Sequence, residues 1–123
     1  MHTRWPQRFA VPFLFVVLLT LDPPAALAHA VLLHSTPQKN AAVAGPDIQI
    51  SLKYNSRVDG ARSAISLLLP SGAIEKIGDL TQPLPDTVSA TSRGLAKGAY
   101  VLRWQVLSSD GHITRGEVPF QIK

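Results

Sequence analysis

The 123-residue sequence contains no cysteine, and its single methionine is the initiator, Met1. Without cysteine the chain cannot form a disulfide, offers no thiolate to a metal ion, and has no lipoprotein-type cleavage site, which requires cysteine. Beyond residue 28 no stretch places apolar residues at helical spacing over more than two turns. The absences exclude a disulfide scaffold, a thiolate site and a helical domain.

The first 28 residues have the pattern of a secretory signal peptide. Arg4 and Arg8 give a basic start, Phe9–Leu21 is mostly apolar, and Ala26-Leu27-Ala28 is a small-x-small cleavage signal. The apolar run is shorter than the ~20 residues that a membrane-spanning helix needs, so an uncleaved anchor is disfavoured. We predict that residues 1–28 are removed and that residues 29–123 are a soluble periplasmic domain without stable membrane anchoring.

The remaining 95 residues suffice for one small domain but not for two cores. They carry ten basic and seven acidic residues, a net charge of +3. The basic residues are scattered from Lys39 to Lys123, without a cluster and without interleaved aromatic residues. This charge indicates solubility and argues against a nucleic-acid surface.

Alternating apolar and polar residues predict strands in this segment. The two clearest are Ile48–Tyr54 and Tyr100–Val106, with Val118, Phe120 and Ile122 as a last inward-facing set. Further predicted elements are strands at Ala64–Leu69 and Ala73–Ile77 around a turn, a loop or edge at Gln82–Asp86, a strand at Thr87–Thr91, and a small-residue connection at Ala41–Pro46.

Turn residues recur every 8 to 12 positions, which together with the strands predicts an all-β fold, an antiparallel Ig-like Greek-key β-sandwich. The segment Leu95–Tyr100 resembles the tyrosine corner of Greek-key sandwiches, in which the tyrosine hydroxyl bonds back to the preceding loop. The alternative interpretation is that Tyr100 is simply an aromatic residue of the core. Trp104 is interpreted as a core residue as well.

The candidate chemistry lies at Ser109-Asp110-Gly111-His112. Asp-Gly alone is an ordinary hairpin signal, but on extended backbone Asp110 and His112, two residues apart, point to the same side. Cleavage before His29 would add a chelate formed by its amine and one ring nitrogen. Such nitrogen and oxygen donors in a roughly planar array suit copper(II), whereas zinc prefers a closed tetrahedral set. The nitrogen donors bind only when deprotonated, so acid should release the metal.

Five segments also occur in a characteristic order: His29-Ala30, Ser35-Thr36-Pro37, the alternating strand ending near Tyr54, Gly98–Trp104, and Ser108-Ser109-Asp110-Gly111-His112. In this order they resemble the CopC family of periplasmic copper-binding proteins, over essentially all of residues 29–123. The resemblance implies a Greek-key sandwich or barrel of about seven strands. It implies an N-terminal histidine brace for copper(II), with His29, Asp110 and His112 as ligands. It further implies a role in copper resistance or uptake, with a CopD-type inner-membrane protein as partner.

Two departures from the family's pattern limit the site to one copper(II) ion. No methionine-rich loop for copper(I) is present, and Tyr54–Val58 lacks the glutamate that some members carry there. Water is therefore expected in place of a fourth protein ligand. His34 is either an accessory group near the brace or a solvated loop residue, and the second interpretation is favoured.

Three classes of function compete for this chain: a copper carrier, a small histidine-brace copper oxygenase, and a metal-free β-sandwich scaffold. The oxygenases have an open axial position, usually a longer chain, and an aromatic axial group where this chain offers Asp110. A scaffold needs no special N-terminus. We therefore interpret the protein as a copper(II) carrier without enzymatic activity.

Overall fold

The alternating segments of the sequence fold into the strands of two facing sheets. In this computed structural model, which describes residues 2–4, 6 and 29–123, the described residues form nine strands and no helix. The strands are β1 (Leu32–Thr36), β2 (Ala42–Val43), β3 (Ile48–Tyr54), β4 (Val58–Leu68), β5 (Ile74–Ile77), β6 (Thr81–Leu84), β7 (Thr87–Ser92), β8 (Gly98–Ser108) and β9 (Ile113–Ile122).

One sheet has the strand order β1-β3-β7-β6 and the other the order β2-β9-β8-β4-β5. All neighbouring strands are antiparallel except β2, which runs parallel to the end of β9. The inward-facing residues of both sheets join in one hydrophobic core. The predicted all-β sandwich is thereby confirmed, with nine strands among the described residues where about seven were expected.

The longest alternating segments were predicted most closely. β3 has the predicted bounds Ile48–Tyr54, and its four apolar side chains are buried. β8 extends the predicted Tyr100–Val106 by two residues at each end and buries the predicted side. Val118, Phe120 and Ile122 are buried in β9 as predicted.

The shorter elements agree with the prediction less closely. The two strands around the turn are β4 and β5, but β4 begins at Val58, six residues before the predicted start. Its first residues pair with the end of β8, and a register shift between Asp59 and Ala64 interrupts the alternation there. The predicted loop or edge at Gln82–Asp86 contains most of β6, the last strand of its sheet.

Two strands were not predicted. β1 has no period-two pattern, because a register shift between Leu32 and His34 disturbs its pairing with β3. β2 lies inside the predicted connection Ala41–Pro46, which is a correction to that prediction. β2 consists of only two residues and exists through pairing with Gln121 and Ile122, which no local pattern reveals.

Tyr100 forms the predicted tyrosine corner and is at the same time a core residue. Its hydroxyl donates to the Ala96 carbonyl oxygen at 2.7 Å, and its ring stacks on Phe120 with centroids 5.6 Å apart. Trp104 is buried, as predicted, and meets Tyr54 edge-to-face at 5.2 Å. Its indole lies against Gly116 on β9, where a β-carbon would overlap it.

The predicted signal peptide, residues 1–28, lies outside the described residues except for residues 2–4 and 6. The start of the mature domain at His29 therefore stays a prediction. Within the described part of the chain, no helix is long and apolar enough to cross a membrane.

The two buried tyrosines should respond differently to loss of the hydroxyl group. Tyr100→Phe removes the hydrogen bond to Ala96 and keeps the stacked ring, so we expect the free energy of unfolding to fall by about 1 kcal/mol. The Tyr54 hydroxyl is buried without a hydrogen-bond partner among the described residues. Tyr54→Phe should therefore leave the free energy of unfolding unchanged or raise it, as measured by urea denaturation of residues 29–123.

The Tyr54→Phe variant also tests a pH dependence of stability. Burial raises the pKa of Tyr54, so the folded state keeps this proton above pH ~10, where an unfolded tyrosine loses it. The folded state then binds more protons, and its stability should fall as the pH rises above ~10. Tyr54→Phe should weaken this alkaline loss, measured by urea denaturation of residues 29–123 at pH values on both sides of ~10. An undiminished alkaline loss in Tyr54→Phe would contradict the assignment.

Candidate metal centre

The turn between β8 and β9 carries two of the predicted site residues. Ser108, the last residue of β8, donates its N–H to the His112 carbonyl at 2.9 Å, and Gly111 N–H donates to the Ser108 carbonyl at 3.0 Å. Gly111 has φ = +86°, a left-handed conformation that glycine adopts without steric cost. These contacts close a tight turn that presents Asp110 and His112 to solvent.

Hydrogen bonds fix both oxygens of the Asp110 carboxylate. The Ser108 hydroxyl and the His112 backbone N–H (3.0 Å) donate to Oδ1, and His112 Nδ1 lies 3.0 Å from Oδ2. All three contacts favour the charged carboxylate. They hold the pKa of Asp110 well below its ordinary value, the Ser108 hydroxyl contributing most and the His112 backbone next.

The convergence of Asp110 and His112 arises differently from the prediction. The sequence argument placed both residues on extended backbone, where side chains two apart share a side. In the structure Asp110 lies in the turn, and β9 begins only at Ile113. The side chains meet because the turn folds His112 back onto the carboxylate of Asp110.

A separate segment brings His29 to the same place. Val31 N–H donates to Asn55 Oδ1 at 2.8 Å, and Asn55 N–H donates to the Val31 carbonyl at 2.9 Å. Ala30 is buried, so both residues between His29 and β1 are held against the domain. The His29 and His112 rings lie edge-to-face, with their centroids 5.3 Å apart.

His29, Asp110 and His112 thus form one cluster. Each offers a ligand atom, and these atoms lie within 4.8 Å of one another, with all three residues exposed. Among the described residues it is the single group of three side chains suited to hold a metal ion. The structure brings the three predicted residues together, while their role as ligands stays a prediction.

His34 does not join this cluster. It is exposed, and it lies on β1 opposite Lys53 rather than in the predicted loop. β1 was missed in the sequence, and the placement of His34 in a loop was wrong for the same reason. Asn55 lies in the Tyr54–Val58 segment, from which no fourth ligand is expected, and its side-chain oxygen accepts the Val31 N–H.

The side chains of the cluster and the His29 nitrogen differ in the lone pairs that they can offer to a metal ion. In neutral imidazole one ring nitrogen carries a proton and the other has a free lone pair that can bind a metal ion, and each carboxylate oxygen of Asp110 has two lone pairs. The His29 nitrogen is a peptide nitrogen in the full chain and becomes a free amine only on cleavage after Ala28.

Two residues that position the site were missed as such in the sequence. Asn55 ties the segment after His29 to the end of β3, and Ser108 anchors Asp110. An asparagine directly after an alternating strand is a signal for side-chain bonding to backbone, but its partner 24 residues away could not be predicted.

Comparisons with known proteins give one consistent result. The CopC domain model matches residues 32–123. Protein YobA of Escherichia coli (strain K12) is 31% identical over 94% of both chains. The crystal structure of CopC from Methylosinus trichosporium OB3b has a TM-score of 0.69 and 31% identity, covering 77% of this chain and 94% of that chain. PcoC, a methionine-rich copper resistance protein from Escherichia coli, has a TM-score of 0.66 and 27% identity, covering 78% of this chain and all of that chain.

The contacts of Asp110 predict that its carboxyl group stays ionised in acid. As the pH falls, the Asp110 carboxyl carbon should titrate below the ordinary aspartate pKa of ~3.9 in NMR spectra of residues 29–123. The depressed pKa contributes stability that is present above ~3.9 and is lost as the pH falls through the folded value. Ser109→Ala, in the same turn, should not move the midpoint. A midpoint at the ordinary aspartate value would contradict the hydrogen-bond network.

Proposed function

The chain belongs to the CopC family, so its function is related to copper, and we propose that it is a periplasmic copper(II) carrier. Residues 29–123, released by cleavage after Ala28, would bind one copper(II) ion through His29, Asp110 and His112. The ion is the cargo of the protein. The resemblance adds a CopD-type inner-membrane protein as the proposed partner.

The observation that carries this proposal is the convergence of three donors from distant parts of the chain. Two donors bound at ~2 Å on opposite sides of an ion lie ~4 Å apart. The donor atoms here already lie within 4.8 Å of one another, so small side-chain rotations suffice to bind one ion. Exposed acidic groups often cluster by chance, but two imidazoles in edge-to-face contact, with centroids 5.3 Å apart, beside a hydrogen-bonded carboxylate are more specific.

Copper(II) suits these donors better than other ions. A copper(II) ion prefers tetragonal geometry with nitrogen and oxygen ligands, and it heads the affinity order of divalent first-row metals. The amine and a ring nitrogen of His29, a ring nitrogen of His112 and a carboxylate oxygen of Asp110 are such ligands. Copper(I) prefers thiolate or thioether ligands, which residues 29–123 do not contain.

The exposure of the site supports a carrier role. All three side chains are exposed, so a partner could reach the ion directly and replace its ligands one at a time. The site lies on a turn and a chain end, whereas substrate-binding enzymes usually place their chemistry in a concave pocket.

Copper binding can be tested on the secreted protein. Mass spectrometry should show a chain that begins at His29. Titration with copper(II) should quench the fluorescence of Trp104, the one tryptophan of residues 29–123, with a saturable one-to-one endpoint. His112→Ala removes a direct ligand and should weaken binding by at least about 100-fold, because loss of an outer-shell partner alone costs about 10- to 100-fold.

His34→Ala is the matched control, since this exposed histidine lies outside the cluster. It should bind copper(II) like the unmodified protein. Absence of a one-to-one endpoint, or equal weakening by His34→Ala and His112→Ala, would refute the proposal. Rapid peroxide formation or polysaccharide cleavage by the copper form with ascorbate and oxygen would indicate an oxygenase instead.

The N-terminal amine can be tested separately. One glycine added before His29 converts the amine into a peptide nitrogen and moves the new amine away from the His29 ring. Loss of this intramolecular second donor should weaken copper(II) binding by about 100-fold. One glycine added after Lys123 is the control and should have no effect. Equal affinities of the two extended proteins in a competition titration would exclude the brace.

A further inference from the structure

We propose that Ser108 is a positioning residue of the copper site, which holds the Asp110 carboxylate in the orientation that meets the ion. The inference rests on the proposed function. Ser108 itself would not touch the ion. It acts through Asp110, whose Oδ1 accepts from the Ser108 hydroxyl.

Ser108 connects the exposed turn to the buried core. It is 3% exposed and continues the inward-facing row of β8, which includes Trp104 and Val106. Its partner across the sheet is the buried Val58. The backbone position from which the Ser108 hydroxyl projects is therefore fixed by the sheet and the core, unlike that of the exposed residues of the turn.

Every polar group of Ser108 is used on the turn. Its N–H donates to the His112 carbonyl, its carbonyl accepts from Gly111, and its Oγ lies within hydrogen-bond distance of Asp110 Oδ1 and, at 2.9 Å, of the His112 carbonyl. The backbone bonds alone would close the turn. The hydroxyl adds the contact that fixes the carboxylate.

The two oxygens of the Asp110 carboxylate therefore have different roles in the site. Oδ1 is occupied by the Ser108 hydroxyl and the His112 N–H, which sets the plane of the carboxylate. Oδ2 is left on the side of the His112 ring. Without the hydroxyl, only the contacts to His112 would hold the carboxylate, and its orientation toward the ion would be less fixed.

The chain contains a matched control for this role. Ser109 is the next residue, with the same side chain in the same turn, but it is exposed and its hydroxyl makes no hydrogen bond within the described residues. Ser108→Ala should weaken copper(II) binding about 10- to 100-fold, as is typical for the loss of a group that orients a metal ligand. Ser109→Ala should bind within twofold of the unmodified protein.

Three further variants separate positioning from a purely structural role. Ser108→Thr keeps the hydroxyl and should keep the copper(II) affinity. Ser108→Val places a side chain of nearly the same shape as threonine there, but without the hydroxyl, and should lose that affinity. In the Asp110→Ala background, Ser108→Ala should weaken binding no further, because the carboxylate that it orients is gone. The electron paramagnetic resonance spectrum of copper(II) should change in Ser108→Ala and stay unchanged in Ser108→Thr.

Each outcome decides the inference. It is wrong if Ser108→Ala binds within threefold of the unmodified protein, if the threonine and valine variants weaken binding equally, or if the alanine effect persists without the Asp110 carboxylate. Should Ser108→Ala fail to fold, the threonine and valine pair makes the same comparison. Failure of the unmodified protein to bind copper(II) would instead refute the proposed function.

Discussion

The antiparallel pairing of β8 with β9 is the interaction on which the rest of the structure depends. Ten residue pairs run from Gly98 opposite Ile122 to Leu107 opposite Ile113. Because side chains alternate between the two faces, a slip by one residue would turn the inward rows of one strand outward. The register that buries the core therefore also determines that Asp110 and His112 occupy the turn. The fit of Trp104 against Gly116 opposes such a slip.

The second half of the site comes from the other sheet. His29 precedes β1, which pairs with β3, whereas His112 precedes β9 in the facing sheet. The reciprocal bonds between Val31 and Asn55 align this segment with the end of the sandwich. An ion bound by His29 and His112 would link the two sheets at one end, so metal binding would also stabilise the folded domain.

The strands with regular alternation could be predicted from the sequence, because burial of one face imposes a period of two. Ile48–Tyr54 is such a case, and its bounds agree with β3. β1 and β2 could not, because a register shift removes the period from the first and the second depends only on its pairing partner. The three clustered side chains were predicted from residue types and the position of His29. The anchoring by Ser108 and Asn55 could not be predicted, since it depends on distances that no local pattern encodes.

Electrostatics determines where the affinity of such a site for a metal ion would come from. The net charge of residues 29–123 is +3, so the domain as a whole does not attract a cation, and affinity has to come from direct coordination. Hydrogen bonds keep Asp110 ionised in acid, so the negative charge of the cluster persists below neutral pH. Imidazole and amine nitrogens bind a metal ion only in their deprotonated form, so metal binding at this cluster would release protons from its nitrogen donors, whereas the Asp110 carboxylate already carries its charge.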